Sequence, residues 1–154
     1  MPESEPVQIL LVEDNPSDAE LTLHALRKSK LVNHILHVQD GAEALDFLFC
    51  RGEYADRTAE MRPLLVLLDL KLPKVDGLQV LAEVKSNPRT KAIPVVLLTS
   101  SNEEQDRATG YKLGVNSYIQ KPVNFADFQE VVLKLGMYWL ILNSKPPVQA
   151  FVGV

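Results

Sequence analysis

The sequence predicts an α/β fold, a doubly wound parallel sheet of five strands with five helices over its two faces. Three observations lead there. Short apolar runs of strand length alternate with stretches of helical periodicity along the chain. The run at residues 64–68, LLVLL, has no polar alternation, which is the pattern of a central strand covered on both faces. The apolar runs also end abruptly in polar or charged residues, at Glu13-Asp14, Asp69, Thr99-Ser100 and Lys121. Right-handed crossovers bring all these strand ends to one edge of the sheet, the edge where open α/β folds bind ligands.

Each element can be justified in turn. Residues 7–12 form the first strand, which ends in Glu13-Asp14-Asn15-Pro16. Ser17 and Glu20 have capping-box spacing and Ala19, Leu23 and Leu26 recur at helical intervals, so a helix follows the acidic turn directly. Residues 35–38 are the second strand, and Gly41-Ala42 opens a helix carrying Leu45, Leu48 and Phe49. The charged stretch 51–62, with Gly52 near its start, reads as a helix end followed by a solvated connection. After the third strand, Asp69 is followed by Pro73 and the Asp76-Gly77 turn signal; Leu78, Val80, Leu81 and Val84 then stripe a helix that Asn87-Pro88 ends. Residues 93–98 are the fourth strand, and 103–113 a mostly polar, weakly held helix containing Gly110. Residues 115–120 are the fifth strand; Asn124 caps a last helix through Phe125, Phe128, Val132, Leu135 and Trp139. The expected organisation is a flexible N-terminus at 1–6, one domain at 7–145 and a tail at 146–154 opened by Pro146 and Pro147.

Composition narrows the function. A chain with 46% hydrophobic and 23% charged residues and a net charge of -4 fits one globular domain with a sizeable core. Nothing in the charge balance supports a nucleic-acid surface or an anionic membrane as partner, so neither is expected. Cys50 is the only cysteine, which excludes an intrachain disulfide and a cysteine-based zinc site. The opening MPESEP lacks the apolar segment of a signal peptide, and no run approaches the roughly 20 apolar residues of a membrane span. A cytoplasmic location is the expectation.

Asp69 alone reads equally well as a helix cap. The whole set changes this. An acidic pair after the first strand, a D-x-x-x-P-x-x-D-G-L block over residues 69–78, a Thr ending the fourth strand and Lys-Pro after the fifth resemble the receiver domain of two-component response regulators, from about Gln8 to the last helix. The resemblance implies the flavodoxin-like receiver fold with strand order 2-1-3-4-5. It also implies a single-domain response regulator that is no enzyme but accepts a phosphoryl group on Asp69 from a sensor histidine kinase. Three carboxylates in one pocket repel one another unless a hard divalent cation is bound, and such oxygens suit Mg²⁺. By resemblance, Asp14 and Asp69 coordinate Mg²⁺ directly, Glu13 acts through a metal-bound water and the backbone carbonyl of Lys71 supplies a further oxygen. Lys121 pairs with the phosphoryl oxygens, while the Thr99 hydroxyl and the N–H groups of Leu70 and Ser100 complete the cradle. The Lys121-Pro122 bond is expected to be cis. Thr99 and Tyr118 are the implied switch: Thr99 moves toward phosphate, Tyr118 turns inward, and the face of helix four, strand five and helix five is reshaped. The length of the 51–62 connection is similar to that in receivers paired with cyanobacterial and bacterial phytochromes, which makes a phytochrome-like kinase the expected partner.

Rival classes fit less well. A phosphatase of the haloacid dehalogenase type needs a second Asp two residues after the first, where Lys71 stands. A flavodoxin-like electron carrier holds a flavin phosphate in a loop that Glu13 and Asp14 would repel. A docking module that is never phosphorylated remains the alternative, against which the complete residue set argues. His24, His34 and His37 lack metal-ligand spacing and receive no role, and Cys50 reads as a small hydrophobe. The last helix carries more apolar residues than one buried face requires, with Met137, Tyr138, Leu140, Ile141 and Leu142 around the rest of its circumference. A homodimer through the face of helix four, strand five and helix five is therefore expected, with Tyr138 and Ile141 in the contact. The alternative cover is the C-terminal tail folded back over this helix.

Overall fold

The strands β1 (Ile9–Val12), β2 (Ile35–Val38), β3 (Leu65–Leu68), β4 (Val95–Thr99) and β5 (Ser117–Gln120) form one parallel sheet in the order β2-β1-β3-β4-β5. This is the expected topology. The computed structural model describes residues 7–30, 34–58 and 61–151; the N-terminal residues 1–6 expected to be flexible, and 152–154 of the tail, lie outside them. The helices are α1 (Pro16–Lys28), α2 (Gly41–Leu48), α3 (Gly77–Ser86), α4 (Glu104–Leu113) and α5 (Phe125–Met137). No helix among the described residues is long and apolar enough to cross a membrane.

The alternation of side chains along each strand divides the core into two layers. Ile9, Leu11, Leu65, Leu67, Val96 and Leu98 face α1 and α5, meeting Ala25, Leu26, Phe128 and Val132. Leu10, Val12, Val66, Leu68, Val95 and Leu97 face the other way, onto Phe47, Val80, Leu81 and Val84 of α2 and α3. β1 and β3 are buried along their whole length, as strands covered on both faces must be. α4 is the exception on its side, since Gly110 is its only buried residue.

Register places the functional edge. Val12 pairs with Leu68, so Glu13 and Asp69 leave the sheet side by side, and the Asp69 N–H extends the ladder to the Val12 carbonyl at 3.1 Å. Thr99 pairs with Gln120, and the Lys121 N–H donates to the Thr99 carbonyl at 2.7 Å.

Two local expectations change, and one alternative is settled for the described residues. The cap of α1 is Asn15, whose side chain accepts from the Asp18 N–H, and not Ser17. Pro16 explains the shift, because its fixed φ and missing N–H suit the first helical position. The 51–62 connection is more than a solvated loop: it contains a 3₁₀ turn at Gly52–Tyr54, Tyr54 meets Phe47 edge to face at 5.2 Å, and the Arg57 guanidinium lies 3.6 Å from the Phe47 ring centre. The alternative cover for the last helix, the tail folded back over it, is not taken by the described tail residues. A 3₁₀ turn at Val148–Phe151 puts Phe151 beneath the Arg62 guanidinium at 4.0 Å, beside Pro63, Leu64 and Pro94, which precede β3 and β4. α5 continues into a π-helical turn, Tyr138–Leu142, that leaves Met137, Tyr138, Ile141 and Leu142 exposed.

Gly77 couples fold to site. A Cβ there would stand 2.1 Å from the Asp69 carbonyl and 2.7 Å from the Leu70 Cα, both backbone atoms with nowhere to move. At Gly110 the nearest atom is the flexible Leu97 Cδ1 at 3.2 Å. Gly77→Ala is therefore expected to cost about 2 kcal/mol or more, whereas Gly110→Ala, which gains helix propensity, should change stability by less than about 1 kcal/mol. Urea denaturation of the two variants beside the wild type checks both, and equal stability of Gly77→Ala and wild type would contradict the close approach.

Candidate functional site

The loops after β1, β3, β4 and β5 converge on an acidic pocket. β1 delivers Glu13 and Asp14, β3 delivers Asp69, and ligand oxygens of these three carboxylates lie within 4.8 Å of one another. Glu13 and Asp69 are buried while Asp14 is exposed, so the trio has a closed floor and an open side. This donor set, all hard oxygen and open on one side, fits a divalent cation such as Mg²⁺ better than a softer metal.

Lys121 answers the negative charge. Its ammonium, on a buried side chain, lies 2.7 Å from Glu13 Oε1, 2.8 Å from Asp18 Oδ2 and 3.2 Å from Asp69 Oδ2. Burial works against the charged lysine, but the hydrogen bonds to Asp18 and Glu13 and the charges of Asp69 and Glu13 outweigh it and hold its pKa above the ordinary lysine value. Glu13 responds in the opposite sense for a carboxylate: burial, reinforced by neighbouring Asp69, pushes it up to about 7 against the pull of Lys121. The expected cis bond is absent, for the described residues contain no cis peptide bond. The lysine is aimed instead by its backbone N–H on Thr99 and by its carboxylate partners.

Asp69 is held in a definite orientation. The Leu70 N–H donates to Asp69 Oδ1 at 2.7 Å, which leaves Oδ2 on the lysine side. Thr99 is buried at the same edge, yet its hydroxyl accepts from the Ser101 N–H at 3.3 Å and makes no hydrogen bond to a carboxylate among the described residues. Lys71 follows at the exposed start of the next loop, and Ser100 is exposed beside Thr99. Tyr118 already lies against the core below α4, with its hydroxyl donating to the Ser101 carbonyl at 3.1 Å. Ser101 is thus a hub: its hydroxyl also donates to Asp106 of α4 at 2.6 Å. Tyr138 and Ile141 are remote from this pocket, on the outer side of the π-helical turn.

Sequence reasoning missed three contributors. Asp18 pairs with Lys121, and the available signal was an Asp in the first turn of a helix that starts at the acidic loop. Ser101 links Thr99 to Tyr118. His37, given no role, sets its Nε2 2.8 Å from the Glu13 carbonyl and so braces the acidic loop from β2, which only strand register could reveal.

The chain is similar to known proteins in sequence and fold. Residues 9–133 match the response regulator receiver domain. The response regulator Rcp1 of Synechocystis sp. is 44% identical over 141 residues, covering 92% of this chain and 94% of Rcp1. The crystal structure of the phosphorylated cyanobacterial phytochrome response regulator RcpA superposes with a TM-score of 0.86 at 42% identity, covering 94% of this chain and 100% of that one. The Mn²⁺-bound form of Rcp1 gives 0.85 at 42% identity, covering 92% and 100%. With the acidic trio, the oriented Asp69 and the lysine reaching it from β5 all present, the chain belongs to the response regulator receiver domain family.

Proposed function

We propose that this protein accepts a phosphoryl group on Asp69 from a histidine kinase and passes the signal on through a changed interaction surface. The observation that carries this reading is Asp69 itself, pinned through Oδ1 by the Leu70 N–H and facing Lys121 with Oδ2, inside a carboxylate trio. Asp69 Oδ2 attacks phosphorus, the bond from phosphorus to the donor atom breaks, and an acyl phosphate forms. Asp14 and Asp69, with Glu13 and the Lys71 carbonyl, would hold Mg²⁺, which when bound supplies charge neutralisation for the transferring oxygens. Lys121 turns its ammonium to those oxygens, and the N–H groups of Leu70 and Ser100 and the Thr99 hydroxyl complete the cradle.

Thr99 leads the response. A shift of its hydroxyl toward the new phosphoryl group releases the Ser101 N–H, and Ser101 in turn holds Tyr118 and α4. α4 is lightly packed, so the face of α4, β5 and α5 is the part of the surface that yields. The kinase is read as phytochrome-like because relatives with 42% identity over nearly the whole chain include a phytochrome response regulator. A cytoplasmic location follows from that partnership. The same face offers Tyr138 and Ile141, exposed beyond α5 with none of the described tail residues over them, and we read it as the contact of a two-fold homodimer.

Incubation with Mg²⁺ and phosphoramidate, followed by intact-mass measurement, should add one phosphoryl group; Asp69→Asn should take none, and undiminished labelling of that variant would sink the assignment. Asp14→Ala should weaken Mg²⁺ binding by at least about tenfold, as loss of a direct ligand exceeds the effect of an outer one. Lys121→Ala should bind Mg²⁺ but acquire phosphate slowly; a collapse of its Mg²⁺ affinity to that of Asp14→Ala would remove the lysine from the phosphoryl oxygens. Sedimentation at tens of micromolar should show a dimer that Tyr138→Asp with Ile141→Asp converts to folded monomer, and a wild-type monomer with and without phosphorylation would refute the interface.

A further inference from the structure

The three carboxylates around Lys121 are not equivalent. Glu13 and Asp69 belong to the trio that can hold a metal ion, and their side chains are only 4% and 11% exposed. A cation among them draws those oxygens to itself, and Asp69 is also the atom donor for the acyl phosphate. Asp18 stands outside the trio. It sits on the first turn of α1, 29% exposed, and its Oδ2 is nearer the ammonium, at 2.8 Å, than that of Asp69 at 3.2 Å.

The backbone under Asp18 is fixed from both sides. Its N–H donates to Asn15 Oδ1 at 3.0 Å, and its carbonyl accepts the Thr22 hydroxyl at 2.8 Å. The first turn of a helix is also a favourable place for a carboxylate. An ammonium has three N–H groups, and here each has a carboxylate partner. Occupation of the trio frees those directed at Glu13 and Asp69 to turn to phosphoryl oxygens, while the one on Asp18 stays where it is.

We propose that Asp18 is a positioning residue that acts through Lys121, anchoring the ammonium at the rim of the pocket so that its other N–H groups face the phosphoryl group and it does not collapse onto Asp69. This rests on Asp69 being the phosphoacceptor, and it adds a residue of α1 that neither binds the metal nor touches the reacting atoms. The helix cap is unaffected by removing the side chain, because Asn15 bonds the Asp18 backbone N–H. Asp18→Ala therefore keeps the fold, which thermal unfolding verifies.

Two measurements decide it. In proton–nitrogen spectra of lysine ammonium groups, without metal or phosphodonor, the wild type should show a slowly exchanging Lys121 signal, identified by its loss in Lys121→Ala. Asp18→Ala should broaden that signal away and Asp18→Glu should restore it; an unchanged signal in Asp18→Ala overturns the anchor. With phosphoramidate and saturating Mg²⁺, Asp18→Ala should slow labelling of Asp69 roughly tenfold, the rate equivalent of one charge-assisted hydrogen bond. In the Lys121→Ala background the same substitution should change the rate by less than about twofold, since residues acting as a unit are non-additive. An equal loss in both backgrounds would show that Asp18 acts independently of the lysine and would overturn the proposal. A wild type that takes no label would defeat the phosphoacceptor reading instead, and the ammonium spectra would still decide whether Asp18 holds Lys121.

Discussion

Lys121 follows β5, whereas Glu13 follows β1 and Asp69 follows β3, so the ammonium ties together residues 108 apart in sequence at Glu13 and 52 apart at Asp69. Without it the parallel sheet would bring like charges to one edge with little water to screen them. The sheet makes that crowding unavoidable, because every strand runs in the same direction and ends at the same place. One cation at the centre, bonded to all three carboxylates of Glu13, Asp18 and Asp69, makes the edge tolerable. One contact thus both offsets the repulsion at the edge and leaves a cation among the carboxylates there.

Beside that centre, hydrogen bonds run outward from Thr99. Thr99 holds the Ser101 N–H, Ser101 holds both the Tyr118 hydroxyl and Asp106, and α4 has little apolar anchorage of its own. Thr99, Tyr118 and α4 are thus joined through Ser101 by a continuous chain of hydrogen bonds. The two sheet faces are unequal in this respect: α1 and α5 clamp one firmly, and α4 leaves part of the other loose.

Much of this was legible in the chain. Unbroken apolar runs at 64–68 and 93–98 marked central strands, and Asp69, Thr99 and Lys121 were recognisable because strand ends in a parallel sheet converge. What sequence could not supply was pairing at a distance. Asp18 belongs to a helix turn whose rotation about its axis is set by packing, and the contact of His37 with Glu13 depends on register between β1 and β2. Arg57 looked like one charge in a polar connection, yet its planar cation lies over Phe47, a contact with no local signature. Pro16 moved the α1 cap by competing with a sound capping-box pattern.

The clasp of Arg62 over Phe151 ties the last described residue of the tail to the underside of the sheet. Pro63 and Pro94 enter β3 and β4, so Phe151 is docked at the end of the strands opposite Asp69 and Thr99. Phe151 itself thus sits on the underside of the sheet, about a strand length from the carboxylates of Glu13 and Asp69. A probe placed at Phe151 would therefore report from the side of the sheet opposite the acidic edge.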